Sequence, residues 1–328
     1  MPVAGVLIAT VIVPQFGEAA RALRAVGTVS PPLVTAGVVL ELISLAAFAL
    51  LTRHAFPFAV RPRFGTVLRA DLISVGIGNT LPFGAAPALA ARVRLFVLAG
   101  APAAAATGAI VVEGVVSNQA LAAIFGAGML GSSGLLSGLD RGAVAAGAPH
   151  GLTWTVGLIG CAALVGCAVG LIGLTLLRRP ALVLLARITR PLGAARSAAV
   201  VEFVDSTLTV IAAASADRRR LGAVALWASV NWLADAAALG VLLAAFGERL
   251  PIASLFFAYG LAAILNAVPL TPGGVGIVEG VLVPVLVGLG VPGGRAVLAV
   301  TAWRLVQFWM PIPIAALAAA TLLRRRRR

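Results

Sequence analysis

The sequence contains no lysine, so all 25 of its basic residues are arginines. A P-loop ATPase needs a lysine that reaches the nucleotide phosphates, and Schiff-base catalysis needs one as nucleophile. Histidine is almost as rare, and His54 and His150 cannot form the closely spaced pair of a zinc protease helix. These absences exclude ATP hydrolysis through a P-loop, lysine-based covalent catalysis and zincin chemistry, and we expect neither a cofactor nor a metal.

Charged residues are also scarce, whereas apolar residues dominate. Only 11% of the 328 residues are charged and 61% are hydrophobic, with a mean hydropathy of +1.07. Several runs of eighteen or more residues carry at most one charge, which is enough for a helix to cross a hydrocarbon core of roughly 30 Å. The sequence therefore predicts an all-α polytopic membrane protein with a single transmembrane domain over residues 1–328. The two cysteines, Cys161 and Cys167, are six apart in one apolar run and are interpreted as buried thiols.

The apolar runs predict about eight transmembrane helices, two of them broken or re-entrant. The boundaries of the candidate segments are 2–14, 33–52, 72–100 (broken), 103–131, 152–177, 221–246, 252–268, 273–291 and 296–323.

The net charge of +14 comes from arginines that lie between the apolar runs. Such a distribution is typical of cytoplasmic loops under the positive-inside rule, and it argues against nucleic acid as a partner. We therefore expect a multi-pass protein of the cytoplasmic membrane. The arginine clusters occupy 53–69, 92–94, 178–196, 218–220 and 324–328. All five lie on the cytoplasmic side if 72–91 is a re-entrant hairpin.

One apolar run is interrupted at 266–279 by prolines, glycines and a carboxylate. Proline removes a backbone donor and glycine allows non-helical dihedral angles, so backbone polar groups are freed at membrane depth. Such breaks are tolerated only where protein or a water-filled cavity covers them, and they point to transport sites. The residues of this break are Asn266, Pro269, Pro272, Gly273, Gly274, Gly276 and Glu279.

A second break, Asn79-x-x-Pro82-x-Gly84, resembles the first and indicates a diverged internal repeat. Each copy continues through a short apolar segment and a Gly-x-Pro turn into a long helix. The two copies cover about 72–131 and 252–323. Paired breaks in corresponding positions are typical of secondary transporters, but the sequence leaves open whether the copies are inverted.

Ionisable residues at membrane depth are costly, about 2.5 to 3.5 kcal/mol each on insertion scales, and are candidates for function. Arg304 is a candidate clamp for a lipid phosphate, or else the partner of Glu279 or Glu113 in an internal ion pair. Asn231 and Asp235 share a helix face and either line a substrate path or join two helices by hydrogen bonds. Arg92 is expected beside Arg94 at a cytoplasmic mouth of the path. The candidate path residues are Arg304, Glu279, Asp235, Asn231, Glu113 and Arg92.

Two further features have alternative interpretations. A half-helix starting near Val275 would direct its positive end into the break, where it could hold an anionic group. Residues 178–220 form a long polar stretch that we interpret as a cytoplasmic interfacial segment. Within it, Glu202, Asp205 and Thr209 share one helix face and either receive a cationic group or are paired with nearby arginines.

Residues 266–279, followed by Gly290 and by Arg304 with Trp309 and Pro311, resemble the signature of the lysylphosphatidylglycerol synthase transmembrane family, also called flippase-like. The first break, with Arg92 after it, resembles the family's first-half motif, although Gly114 follows Glu113 where the family commonly has arginine. The resemblance implies movement of aminoacylated phosphatidylglycerol or another lipid-linked substrate between leaflets. No synthase domain is present in the sequence, so we do not expect the chain to make the lipid or to act as an enzyme.

The resulting hypothesis is a lipid translocase that moves a phosphate-bearing or aminoacylated phospholipid, or a lipid-linked intermediate, across the cytoplasmic membrane. One alternative is a membrane enzyme that modifies a lipid carrier with Glu279 or Asp235 as acid or base. Another is an accessory subunit that packs against a lipid-synthesis enzyme through 178–220. A second copy of the chain also remains open as a partner.

Overall fold

The computed structural model describes residues 30–81, 83–132, 177–266 and 274–326, together with isolated positions between 158 and 176. The described residues are mostly helical, and the protein is a polytopic all-α membrane protein, as predicted. The predicted segment at 2–14 and nearly all of that at 152–177, with Cys161 and Cys167, lie outside the described residues.

Eleven α-helices are present in the described part of the chain. Their bounds are α1 Pro31–Ala55, α2 Phe64–Thr80, α3 Ala85–Leu98, α4 Ala103–Gly131, α5 Arg178–Thr189, α6 Ala194–Ala216, α7 Arg218–Ala245, α8 Ile252–Asn266, α9 Ile277–Gly288, α10 Gly293–Arg304 and α11 Pro311–Arg326. A π-helical segment, Leu305–Trp309, joins α10 to α11 in one long helix. Among the described residues, five helices are long and apolar enough to cross a membrane: α1, α4, α6, α7 and the stretch Gly293–Leu322.

The most extensive helix contact is that between α1 and α7, which pack antiparallel. A Cβ on Gly37 would lie 3.0 Å from Leu242 Cγ, so the absence of a side chain lets the two backbones approach closely. The Arg220 guanidinium of α7 donates a hydrogen bond to the carbonyl oxygen of Ala55, at the end of α1. We call this end of the molecule, where α1 ends and α2 and α7 begin, the arginine end.

Helices α2 and α3 form the first hairpin, which corresponds to the broken segment predicted at 72–100. They run antiparallel, because Ser74 Oγ donates to the carbonyl oxygen of Ala88 at 3.1 Å while Asp71 pairs with Arg92 further from the tip. The tip needs Gly84, since a Cβ there would lie 2.5 Å from the carbonyl oxygen of Gly78. Pro82 of the predicted break lies outside the described residues.

Both ends of this first hairpin lie at the arginine end. Arg69 near the start of α2, Leu98 at the end of α3 and Leu322 of α11 line one cavity of about 540 Å³. The first hairpin therefore enters and leaves at the same end of the molecule, as a re-entrant segment does.

Helices α8 and α9 form the second hairpin, whose connection contains the second break. Pro269, Pro272 and Gly273 of that break lie outside the described residues. Glu248, in the connection before α8, and Arg295, in the first turn of α10 after α9, form an ion pair with 2.5 Å between Oε1 and Nη1. Both ends of this hairpin are therefore also close together.

Helix α4 shows that the two hairpins enter from opposite ends. Its start adjoins the end of the first hairpin, where the amide of Ala101 donates to the carbonyl oxygen of Phe96. Its last turn adjoins the start of the second hairpin, since a Cβ on Gly128 would lie 2.4 Å from the amide nitrogen of Phe257. The 29 residues of α4 span about 43 Å at 1.5 Å per residue. The two hairpins are therefore inverted relative to each other, which the sequence alone leaves undecided.

The tips of both hairpins meet the π-helical segment in the middle of the long helix. Asn79 of the first tip donates through Nδ2 to the carbonyl oxygen of Phe308 at 3.0 Å. Glu279 of the second tip accepts from Arg304 Nε at 2.7 Å. Single π-helical turns inside helices are common at functional sites, and this one precedes Pro311, whose missing donor is tolerated at the start of α11.

The polar stretch 178–220 contains α5 and α6. Arg178 binds Asp205 with 2.7 Å between Nε and Oδ1 and donates to Thr209 Oγ1 at 2.7 Å, so this face is paired with an arginine. Helix α6 is long and apolar enough to span a membrane. Its interfacial position stays a prediction.

Candidate functional site

Arg304 lies at the end of α10, where the helix changes to π-helical geometry. Its side chain is buried, with the residue only 3% exposed. Nε donates to Glu279 at 2.7 Å, Nη1 donates to Gln307 Oε1 at 3.2 Å, and the guanidinium lies 4.5 Å from the centre of the Phe308 ring. A charge at this depth is retained because a carboxylate, an amide and an aromatic face surround it.

Glu279 connects Arg304 to the start of α9. One carboxylate oxygen binds Arg304, and the other accepts from the backbone amide of Gly276 at 2.7 Å. Gly276 is the N-cap residue and has a φ of +85°, which glycine adopts without strain. The positive end of this half-helix, expected to hold an anionic group, is therefore satisfied by the protein's own carboxylate.

Glu279 is the more open member of this ion pair. Its side chain is 23% exposed, against 4% for the side chain of Arg304. Solvent therefore reaches the ion pair from the side of Glu279, and the guanidinium of Arg304 is buried.

Asp235 lies beside this pair in α7. It accepts from Tyr259 Oη and from Trp303 Nε1, both at 2.9 Å. The Glu41 side chain of α1 is also buried, and its Oε2 has no hydrogen-bond partner among the described residues. Asp235 thus belongs to a buried polar network that reaches Arg304 through the neighbouring Trp303.

Glu41 is a residue that the sequence interpretation missed. It is the only carboxylate in the apolar segment predicted at 33–52, and it is 3% exposed in the structure. The rule that charges at membrane depth are functional candidates would have identified it.

Arg92 forms a second buried ion-pair cluster, nearer the arginine end. Its guanidinium binds Asp71 at 2.7 Å and Glu113 at 2.6 Å, donates to Thr52 Oγ1 at 2.5 Å and lies 4.8 Å from the centre of the Phe48 ring. The expectation that Arg92 lies at an open mouth is wrong, because the structure buries it. Arg94 lines the cavity beside α11 instead.

The two clusters occupy corresponding positions in the two hairpins, but the arginine and the glutamate change places. Arg92 follows Asn79 by the same number of residues as Glu279 follows Asn266. Arg92 then pairs with Glu113 of the following long helix, and Glu279 pairs with Arg304 of the following long helix. Each hairpin thus forms one ion pair with the long helix that follows it. The arginine of the pair belongs to the hairpin in the first case and to the long helix in the second.

The predicted path residues therefore separate into two ion-pair clusters and one helix contact. Asn231 donates through Nδ2 to Ser44 Oγ at 2.8 Å and to the Ser44 carbonyl oxygen at 3.0 Å, so it joins α7 to α1. This geometry favours the helix-joining interpretation of Asn231. Asn266 ends α8 near Gly274, where a Cβ would lie 2.8 Å from the Asn266 side-chain oxygen.

A metal is not suggested by the site. In the part of the chain that the structure describes, no three histidine, cysteine, aspartate or glutamate side chains are grouped closely enough to hold a metal ion.

Comparison with known proteins places the chain in a family. No curated protein matches it. The model of the lysylphosphatidylglycerol synthase transmembrane region matches residues 3–315, which include both hairpins and both ion-pair clusters. The chain therefore belongs to the family of the lysylphosphatidylglycerol synthase transmembrane region.

Proposed function

We propose that the protein moves a phosphate-bearing phospholipid or lipid-linked intermediate between the leaflets of the cytoplasmic membrane. The family membership supports a membrane protein related to lipid metabolism or translocation. The inverted hairpins support the finer proposal, because inverted repeats with broken helices near the bilayer centre are the usual frame of alternating access.

The observation that carries the proposal is the Arg304–Glu279 ion pair where the two hairpin tips meet. A phosphodiester has the same negative charge as a carboxylate and accepts hydrogen bonds from a guanidinium in the same planar geometry. A lipid phosphate can therefore take the place of Glu279 on Arg304, so that the buried guanidinium keeps an anionic partner.

The position of Glu279 makes this exchange inexpensive. When the carboxylate leaves Arg304, it retains the backbone amide of Gly276 and the positive end of α9. The lipid headgroup would then be held at mid-depth while its acyl chains stay in the surrounding lipid. The first hairpin contacts the same π-helical segment through Asn79, so opening at either hairpin can give access to Arg304 from one side.

Energy from ATP is not part of the proposal, since the lysine of a P-loop is absent from the sequence. Exchange would be passive or coupled to an ion. We propose translocation rather than modification of a lipid because the two hairpins enter from opposite ends and both contact the region around Arg304, an arrangement typical of transporters.

The proposal is tested by reconstitution into liposomes. Fluorescent phosphatidylglycerol in the outer leaflet is quenched chemically, and the remaining signal measures exchange from the inner leaflet. We expect proteoliposomes to lose the protected fraction and protein-free liposomes to keep it. Polyprenyl phosphate and aminoacylated phosphatidylglycerol are tested in parallel, and no acceleration with any of these lipids would refute translocation.

A further inference from the structure

A cavity of about 550 Å³ lies at the arginine end, away from the Arg304–Glu279 pair. It forms where the end of α1 meets the junction of α6 and α7. The side chains that carry its chemistry are His54, Phe58, Arg61, Asp217, Arg219 and Arg220.

Two arginines of this cavity have hydrogen-bond donors without an acceptor. The Nε atoms of Arg61 and Arg220 are buried and have no hydrogen-bond partner among the described residues. Arg220 is only 8% exposed, and its position is fixed because Nη2 donates to Ala55 and its backbone amide donates to Asp217 Oδ1 at 3.0 Å. A buried charged donor without an acceptor is costly and calls for a missing partner.

The charges around the cavity favour an anion as that partner. Arg61, Arg219 and Arg220 line it, whereas Asp217 is the one carboxylate among its described lining residues. Burial and repulsion from Arg53 lower the pKa of Arg61, and attraction to Asp217 offsets this only in part. Asp217 is in addition engaged in capping α7. A positive excess therefore remains.

The edge of the cavity is suited to a membrane surface. Phe58 is 86% exposed, and the Arg61 guanidinium lies 5.4 Å from the centre of its ring. Phenylalanine beside arginines is typical of protein surfaces that contact the headgroup region of a bilayer.

We propose that this cavity binds a phosphate group through Arg61 and Arg220, as a site separate from the translocation path. The volume exceeds that of a phosphate alone and accommodates a lipid headgroup, and the exposed Phe58 would contact the acyl region. Free phosphate has the same chemistry as the headgroup phosphate and is distinguished in the test.

The test measures binding to the purified full-length protein in detergent. The probes are inorganic phosphate and short-chain phosphatidylglycerol, with short-chain diacylglycerol as the lipid without phosphate. Tryptophan fluorescence is the readout, because Trp227 stacks on His54 of the cavity with ring centres 6.4 Å apart. Arg61→Gln and Arg220→Gln are compared with Arg218→Gln, an exposed arginine of the same run that does not line the cavity.

We expect Arg61→Gln and Arg220→Gln each to weaken binding of a phosphate-bearing probe roughly tenfold, the effect of losing one charge-assisted hydrogen bond. Arg218→Gln should bind as the wild type does, and diacylglycerol should not bind at the cavity. If inorganic phosphate binds and phosphatidylglycerol does not, the ligand is free phosphate. If phosphatidylglycerol binds and inorganic phosphate does not, the ligand is the lipid headgroup. Equal affinities of Arg61→Gln and Arg218→Gln for both phosphate probes would overturn the proposal.

Two controls keep the result interpretable. If Arg220→Gln does not fold, Arg61→Gln decides alone, since Arg61 is only partly buried. Binding at this cavity should persist in Arg304→Gln, and leaflet exchange should persist in Arg61→Gln, so this proposal and the translocation proposal fail separately.

Discussion

Replacing Arg304 with glutamine is expected to slow leaflet exchange of an anionic phospholipid by roughly 10- to 100-fold. A hydrogen bond to a charged group contributes about 1.5–3 kcal/mol, and each 1.4 kcal/mol corresponds to about a tenfold change. Inside the protein the guanidinium compensates the phosphate for its lost hydration. Without it the energy barrier to crossing rises, and exchange becomes slower. The measurement is the quenching assay in liposomes with equal amounts of reconstituted protein.

The stability of this variant should fall much less than its activity. Glu279 keeps the Gly276 amide and is partly exposed, so its charge is not stranded when Arg304 is removed. Arg295→Gln is the matched control, because Arg295 lies on the same helix but pairs with Glu248 at the end of the molecule. Wild-type exchange by a folded Arg304→Gln protein would remove Arg304 from the path.

Replacing Arg92 with glutamine is expected to destabilise the fold by about 3–5 kcal/mol. This is the range measured when one partner of a buried ion pair is removed. The substitution leaves the carboxylates of Asp71 and Glu113 buried together without their shared cation. Denaturant unfolding in mixed micelles measures the change in the free energy of unfolding.

Neutralising the whole cluster shows whether the destabilisation comes from unpaired buried charges or from altered side-chain packing. Asp71→Asn, Arg92→Gln and Glu113→Gln combined should recover most of the stability, since no buried charge is then unpaired. Arg94→Gln, an exposed arginine two residues further along the same helix, should be close to wild type. A stable Arg92→Gln protein, or a triple variant less stable than it, would contradict the assigned role of Arg92.

The sequence predicted the breaks because a helix that only spans lipid rarely combines asparagine, proline and several glycines within a few residues. It also named Glu279 and Glu113 as alternative partners of Arg304, since all three are isolated charges at membrane depth, and the structure selects Glu279. The entry of the two hairpins from opposite ends of the molecule could not be predicted, because it depends on which end of α4 each hairpin adjoins. That information is contained in contacts such as Gly128 with Phe257, which have no signature in the sequence.

Two of the buried carboxylates were missed for different reasons. Asp71 lies next to Arg69 at a segment boundary, where a charge is ordinarily solvated, and only the antiparallel register of α2 and α3 places it against Arg92. Glu41 lies within a predicted segment and its isolation was a sufficient signal. Sequence patterns thus identify charges at mid-depth more readily than charges near the end of a helix.

The central claim is that a lipid phosphate replaces Glu279 on Arg304, and affinity for short-chain phosphatidylglycerol tests it most directly. The dissociation constant is compared for the parent, Glu279→Gln and Arg304→Gln, all carrying Arg61→Gln so that binding at the cavity lined by Arg61 and Arg220 is weakened equally in all three. Glu279→Gln keeps the shape of the side chain but removes the competing charge, so it should bind the lipid about tenfold more tightly, whereas Arg304→Gln should bind it more weakly. Equal affinities in all three proteins, or weaker binding by Glu279→Gln, would contradict the claim.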